Sequence, residues 1–149
     1  NYYTAVDGVL FKKTLDVLVK YPQEKTAKIY EIPSGVKRIF GNAFFECTNL
    51  ESIIIPDSVE LLGSYAFHGC SNLEEIVLSS SISDIKEGTF INCRKLTTVT
   101  IPENVASIAS DAFKGCSDLK EILINQEKDG IPGAPWGANS ATVKWKGEF

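Results

Sequence analysis

The sequence has no methionine and only one histidine, His68, in 149 residues. A single imidazole leaves little for a zinc enzyme or a Ser-His-Asp triad to use. Starting at Asn1 without a methionine anywhere, the chain reads as a processed or cloned piece, with any leader or anchor outside it. No apolar run approaches the roughly 18 residues of a membrane-spanning helix. There is no basic excess either. Fifteen Lys and Arg face nineteen Asp and Glu, a net charge of -4, which argues against a sequence-independent nucleic-acid binder. Hydrophobic residues are 44% and charged residues 23% of the chain, which excludes disordered, collagen-like and coiled-coil classes and leaves one packed domain.

What is present is a period. The four cysteines are Cys47, Cys70, Cys93 and Cys116, each 23 residues from the last. The same step links Phe44, Phe67, Phe90 and Phe113, and it links Leu50, Leu73, Leu96 and Leu119. It also carries Ile53 to Ile76, Val99 and Ile122, and Ile39 to Leu62, Ile85 and Ile108. Ala43, Ala66, Thr89 and Ala112 occupy a small-residue column. In Leu50-Glu-Ser-Ile53-Ile-Ile55, Ile53 and Ile55 fall on one side of a short strand, with Ile54 on the other. Pro56, Pro102 and Pro33 end such strands by removing a ladder donor. Val59 to Leu62 reads as a second extended stretch, and Ser64 to Cys70 as a tight helical or 3-10 turn. A unit of this size cannot bury its own apolar side, so stacked units must share one core.

The run Ala66-Phe67-His-Gly-Cys70-Ser-Asn-Leu73-Glu-Glu-Ile76-Val-Leu78, with its equivalents, resembles the BspA-like leucine-rich repeats. Asp7 to Pro22 resembles that family's amino-terminal hairpin, and Ile131 to Ala138 with Val143-Lys-Trp145 its closing segment. The resemblance implies a β-rich, right-handed leucine-rich-repeat solenoid with short helical or 3-10 turns and terminal β caps. Residues 1–149 then form a single domain. Residues 1–31 make the cap hairpin and a partial repeat, 32–124 four repeats, and 125–149 the carboxyl-terminal cap, the period breaking after Ile124. Ser79 in place of proline, Arg94-Lys95 in place of Ser-Asn, and Phe40, Lys86 and Ala109 in place of the glycine at Gly63 soften local geometry.

The chemistry-bearing residues read mostly as structure. The cysteines share an inward column with parallel Cβ vectors about one rung, ~4.8 Å, apart, which suits buried free thiols rather than bridges or a convergent metal site. His68 shares a column with Phe45, Ile91 and Lys114 and is expected to be exposed. Glu74 and Glu75 point to different faces of a strand, so they make no carboxylate pair across a cleft. Gly130 and Gly133 lack the strand-to-helix setting of a phosphate loop. Trp136 and Trp145 are placed to cover the final rung, with ligand stacking as the alternative.

The outward strand positions are Ser52 and Ile54, Glu75 and Val77, Thr98 and Thr100, and Glu121 and Leu123. Ile54, Val77 and Leu123 put aliphatic side chains where a water-facing strand carries polar ones, with Thr100 interrupting. Either this is a partner-binding stripe or it is simple β-propensity. The resemblance implies a non-enzymatic adhesion or interaction module of an extracellular or cell-surface bacterial protein. Its expected partners are host matrix proteins, cells or surface polymers. A spacer domain without its own ligand is the alternative. No catalytic residue, cofactor, metal, nucleic acid or membrane insertion is expected, and the chain is expected to be monomeric.

Overall fold

Alternating apolar and polar residues form short strands that find their hydrogen-bond partners one period away. The computed structural model describes residues 2–149. At the amino end β1 (Tyr3–Val6), β2 (Val9–Lys12) and β3 (Val17–Lys20) run antiparallel. β3 then pairs in parallel with β5 (Arg38–Ile39), and β5 with β7 (Leu61–Leu62). A second parallel row contains β4 (Ile29–Glu31), β6 (Ser52–Ile54) and β8 (Glu75–Val77). Further along, β9 (Asp84–Ile85) pairs with β11 (Ser107–Ile108). β10 (Thr98–Ile101) pairs with β12 (Glu121–Ile124), and β12 with β13 (Thr142–Trp145). The result is a leucine-rich-repeat β-solenoid of about six turns.

The periodic columns fill its interior. Phe44, Phe67, Phe90 and Phe113 are fully buried and stack with ring centroids 5.1, 5.5 and 5.3 Å apart. Tyr21, one period before Phe44, heads the stack at 5.2 Å. Leu50, Leu73, Leu96 and Leu119 are buried beside them.

Three features refine the sequence reading. The corner from Ser64 to Cys70 and its equivalents is a chain of successive turns, and no described residue is helical. Its i to i+3 bonds, such as Phe45 N–H to the Asn42 carbonyl and Cys47 N–H to the Phe44 carbonyl, are interrupted by left-handed residues. These are Asn42, Tyr65 and Gly88 in one column and Glu46, Gly69, Asn92 and Gly115 in another. A right-handed helix cannot pass through a positive φ. Gly88 is fixed by contact as well, since a Cβ there would lie 2.2 Å from the Tyr65 ring. Second, β1 extends the amino-terminal hairpin to three strands. Third, the winding continues beyond Ile124. The Phe113 N–H donates to the Trp136 carbonyl at 3.0 Å, and β13 lies parallel to β12 with Glu121 opposite Thr142, a rung two residues short of the period. Trp136 and Trp145 are buried in this last turn, which leaves no ring face for a ligand.

Both strand rows part at the same place. β8 forms no ladder with β10, and β7 forms none with β9. Glu51, Glu74 and Lys120 N–H groups each donate to the neighbouring coil, but among the described residues Thr97 N–H does not. Leu78, Ser83 and Lys86 N–H groups likewise lack the bonds that Ile55, Glu60 and Gly63 make. The turn corner stays closed across this seam, through Tyr65 N–H to the Glu87 carbonyl, Phe67 N–H to Thr89 and Gly69 N–H to Ile91. The opposite corner is tied by side chains. Ser79 Oγ donates to the Val59 carbonyl at 2.6 Å, and Asp57 Oδ1 accepts from Ser80 N–H at 2.8 Å. That bond holds the Asp57 carboxyl below its usual range.

Two substitutions test the packing by chemical denaturation. Phe67→Ala removes a ring from the middle of the stack and is expected to cost about 3–5 kcal/mol. Tyr21→Phe is expected to hold or raise stability by about 1 kcal/mol, because the buried Tyr21 hydroxyl has no hydrogen-bond partner among the described residues.

Candidate functional site

The strand row β4–β6–β8 sets side chains in register every rung. Ile29, Ser52 and Glu75 form one outward line, and Glu31, Ile54 and Val77 the next. Ile29 is 65% exposed and Val77 55%, while Ile54 and Ser52 are half-buried between their neighbours. Beyond the seam the corresponding lines are Thr98, Glu121 and Thr142, and Thr100, Leu123 and Lys144. Thr100 is exposed, and Thr98, Glu121 and Leu123 are half-buried. The eight residues singled out from the sequence therefore face outward, but the seam divides them into two groups. Ile54 and Val77 lie one rung apart, and Leu123 belongs to the other half.

Part of the charge on this face is paired. Glu121 pairs with Lys144, Glu51 with Lys28 at 2.7 Å, and Glu74 with Lys95 at 4.0 Å. Exposed pairs of this kind are worth little in stability, but they partly neutralise the acidic groups there. Glu75 and Glu31 make no ion pair among the described residues. Glu74, just before β8, is exposed like Glu75. Ile29 and Glu31 were within reach of sequence reasoning, since they stand one period before Ser52 and Ile54. Thr142 and Lys144 were not, because the last rung is shorter.

His68 is half-buried rather than fully exposed, because its ring packs between Phe45 at 5.1 Å and Tyr65 at 5.9 Å. Tyr65 Oη donates to Glu87 Oε1 at 2.6 Å, which pushes the phenol up from its ordinary value. Beside His68 runs a shallow polar groove of about 450 Å³ bounded by Gln23, Glu46, Asn92 and Arg94.

The four cysteines are free and buried. Each thiol reaches the carbonyl of the stack residue in the preceding coil. Cys70 Sγ lies 3.0 Å from the Phe44 oxygen, Cys93 3.2 Å from Phe67, and Cys116 3.0 Å from Phe90. Cys47 lies farther, 3.7 Å from Tyr21. Burial pushes Cys47 and Cys116 up to about 12, and drives Cys70 and Cys93 upward too. The thiol column runs along a line, and among the described residues no three His, Cys, Asp or Glu side chains converge as a metal site requires. Among the described residues no helix is long and apolar enough to cross a membrane.

Comparison with known proteins agrees with this architecture. The family model for the BspA type leucine rich repeat region matches residues 23–134 with six copies. No curated protein matches the chain. Among solved structures, a leucine rich cell surface protein of Faecalibacterium prausnitzii superposes with a TM-score of 0.85 at 33% identity. That match covers 98% of this chain and 40% of the other. The pneumococcal vaccine antigen PcpA gives 0.81 at 29% identity, over 84% of this chain and 31% of its own. A leucine-rich repeat protein of Bacteroides ovatus gives 0.65 at 28% identity, over 96% and 35%. The chain thus spans less than half the length of these relatives.

The buried thiols carry a prediction. A thiol reagent is expected to find no reactive group in the folded protein and four after denaturation without reductant; two missing groups would reveal a bridge. Stability should also fall at alkaline pH. The folded thiols titrate above the ordinary value of 9.0. Unfolded thiols therefore lose protons first, and folding loses up to about 1.4 kcal/mol per thiol per pH unit between the two values. Denaturation at pH 7 and pH 10 measures this.

Proposed function

Because the chain belongs to the BspA-type leucine-rich repeat family, we propose that it is a non-enzymatic interaction module of a secreted or surface-displayed bacterial protein. It binds host matrix proteins, cells or surface polymers through its outward strand face. The observation that carries this reading is the pair of registered lines on β4, β6 and β8. There Ile29 and Val77 stand in water on a flat, regular surface, with Ile54 between their rungs. Exposed aliphatic side chains grouped on a rigid scaffold are the usual mark of a partner surface. The relative from Faecalibacterium prausnitzii is described as a cell surface protein, which supports display outside the cell. The spacer reading draws on the polar half of the face, Thr98, Thr100, Thr142 and Lys144, which looks like an ordinary solvated strand row.

The double variant Ile54→Asp with Val77→Asp separates the two readings. Each outward position is expected to change stability by only about 1 kcal/mol, through strand propensity. Capture of the partner, found by pull-down against matrix proteins and cell-wall polymers, is expected to fall by at least about tenfold, because a buried contact would then hold unpaired charge. A folded variant that still captures its partner moves the site off this face. A chain that captures none of these probes supports the spacer.

A further inference from the structure

The seam is open along two sides of one coil and closed at the corners between them. From β7 the chain passes the turn corner, then β8, then the corner at Ser79 and Ser80, and returns at β9. Corners and strand rows therefore alternate around the coil. Each corner is bonded across the boundary. At the turn corner Tyr65, Phe67 and Gly69 N–H groups donate to the next coil at 2.9, 3.0 and 2.8 Å, and Lys95 N–H donates back to the Ser71 carbonyl at 3.3 Å. At the other corner Asp57 Oδ1 accepts from Ser80 N–H, and Asn104 Nδ2 donates to the Ser80 carbonyl at 2.8 Å. Along the two rows the strands stay neighbours without bonding. Leu78, Ser83, Lys86 and Thr97 N–H groups have no hydrogen-bond partner among the described residues.

We propose that the seam is a rocking joint, in which the coils on its two sides tilt about the line through the bonded corners, so that one strand row closes as the other opens. Because corners and rows alternate, that line has one row on each side of it. Two bonded points permit rotation about the line joining them and hold the coils together against other movements. The ring stack does not block a small tilt. Phe67 belongs to the turn corner, close to the line, and faces Phe90 at 5.5 Å with planes 8° apart, so the ring contact survives. Away from the line the core is less well covered. Ile76 is 7% and Leu78 9% exposed, whereas Ile53, Val99 and Ile101 are at most 1% exposed. Neither row is closed in this structure, which is the midpoint of such a motion, and each tilt gives one row the ladder bonds it lacks. The aliphatic half of the outward face on β4, β6 and β8 then meets the polar half on β10, β12 and β13 at a variable angle. A partner that touches both halves selects one tilt.

Nitroxide labels on the whole chain test the joint, the four native thiols being buried. Ile54→Cys with Thr100→Cys sets two labels two rungs, ~10 Å, apart across the seam, and Glu31→Cys with Val77→Cys gives the same spacing without crossing it. Dipolar spectra in frozen solution are expected to show a distance spread about twofold wider for the crossing pair. Leu61→His with Asp84→His, one period apart on the other row, then serves as a zinc clamp. Zinc is expected to narrow the crossing pair to the spread of the control, and to change nothing in the chain without these histidines. Should Ile54→Cys disturb folding, Leu61→Cys with Ser107→Cys reads the same motion from the other row, both positions being exposed. Equal spreads in crossing and control pairs of the folded chain overturn the proposal, since the seam is then rigid. A broad crossing pair that zinc on the opposite row does not narrow also overturns it, because the two rows then fray independently.

Discussion

A coil of 23 residues has too few side chains to enclose a core and no strand partner within itself. Its backbone N–H groups must find acceptors on the next coil, and its apolar side must be covered by the same side of that coil. Both demands are met by one register, in which Arg38 lies opposite Leu61, Ser52 opposite Glu75 and Thr98 opposite Glu121. Once this register is set, like residues stack on like. The phenylalanine rings form a continuous column, and the thiols of Cys70, Cys93 and Cys116 each fall on a carbonyl that already accepts a turn bond. The Phe44 oxygen, for instance, takes both Cys47 N–H and the Cys70 thiol. Neutral thiols are needed there, because a thiolate has no proton to give a carbonyl and little water to solvate it.

The same dependence explains why an irregular repeat matters beyond its own length. The third repeat has serine where its neighbours have proline, threonine in the alanine column and lysine at the glycine position. In the proline-bearing corners Val36, Val59 and Val105 N–H groups donate to the proline carbonyl three residues back. At Ser79 that turn bond is replaced by side-chain bonds from Ser79 Oγ to Val59 and from Ser81 N–H to Ser79 Oγ. Both strand rows open at this boundary. The ring spacing from Phe67 to Phe90 is also the widest between phenylalanines of the stack. The outward face is thereby divided into an aliphatic half on β4, β6 and β8 and a more polar half on β10, β12 and β13.

The inward columns were readable in the sequence because each rung repeats the same chemistry in the same place. The free thiols followed from that geometry, since parallel side chains a rung apart do not converge. β1 was not readable. Tyr3 to Val6 has only Thr4 half-buried, so no apolar alternation marks it as a strand. The last strand was readable from the alternation of Val143, Lys144 and Trp145, but its shorter rung moves these residues out of the period, which hid their pairing with Ile122 to Ile124. The departures at Ser79, Lys86 and Thr89 were visible as single residues. Their joint effect on two strand rows depends on contacts between coils, which no single repeat contains. The half-burial of His68 was hidden for a similar reason, because its cover comes from Phe45 in the preceding coil and from Tyr65, a bulky residue in a left-handed position where asparagine or glycine is usual.

The central physical claim is that inter-coil backbone bonding holds the solenoid together and that this bonding is interrupted on both strand rows at one boundary. Residue-resolved amide hydrogen exchange of the whole chain tests it most directly. Ile55, Gly63, Glu74, Ala109 and Lys120 amides, bonded across coils, are predicted to exchange slowly, as are Tyr65, Phe67 and Gly69 in the closed corner. Leu78, Ser83, Lys86 and Thr97 amides are predicted to exchange markedly faster. Protection at those four amides equal to that of their counterparts in the other coils would show a continuous ladder and contradict the account.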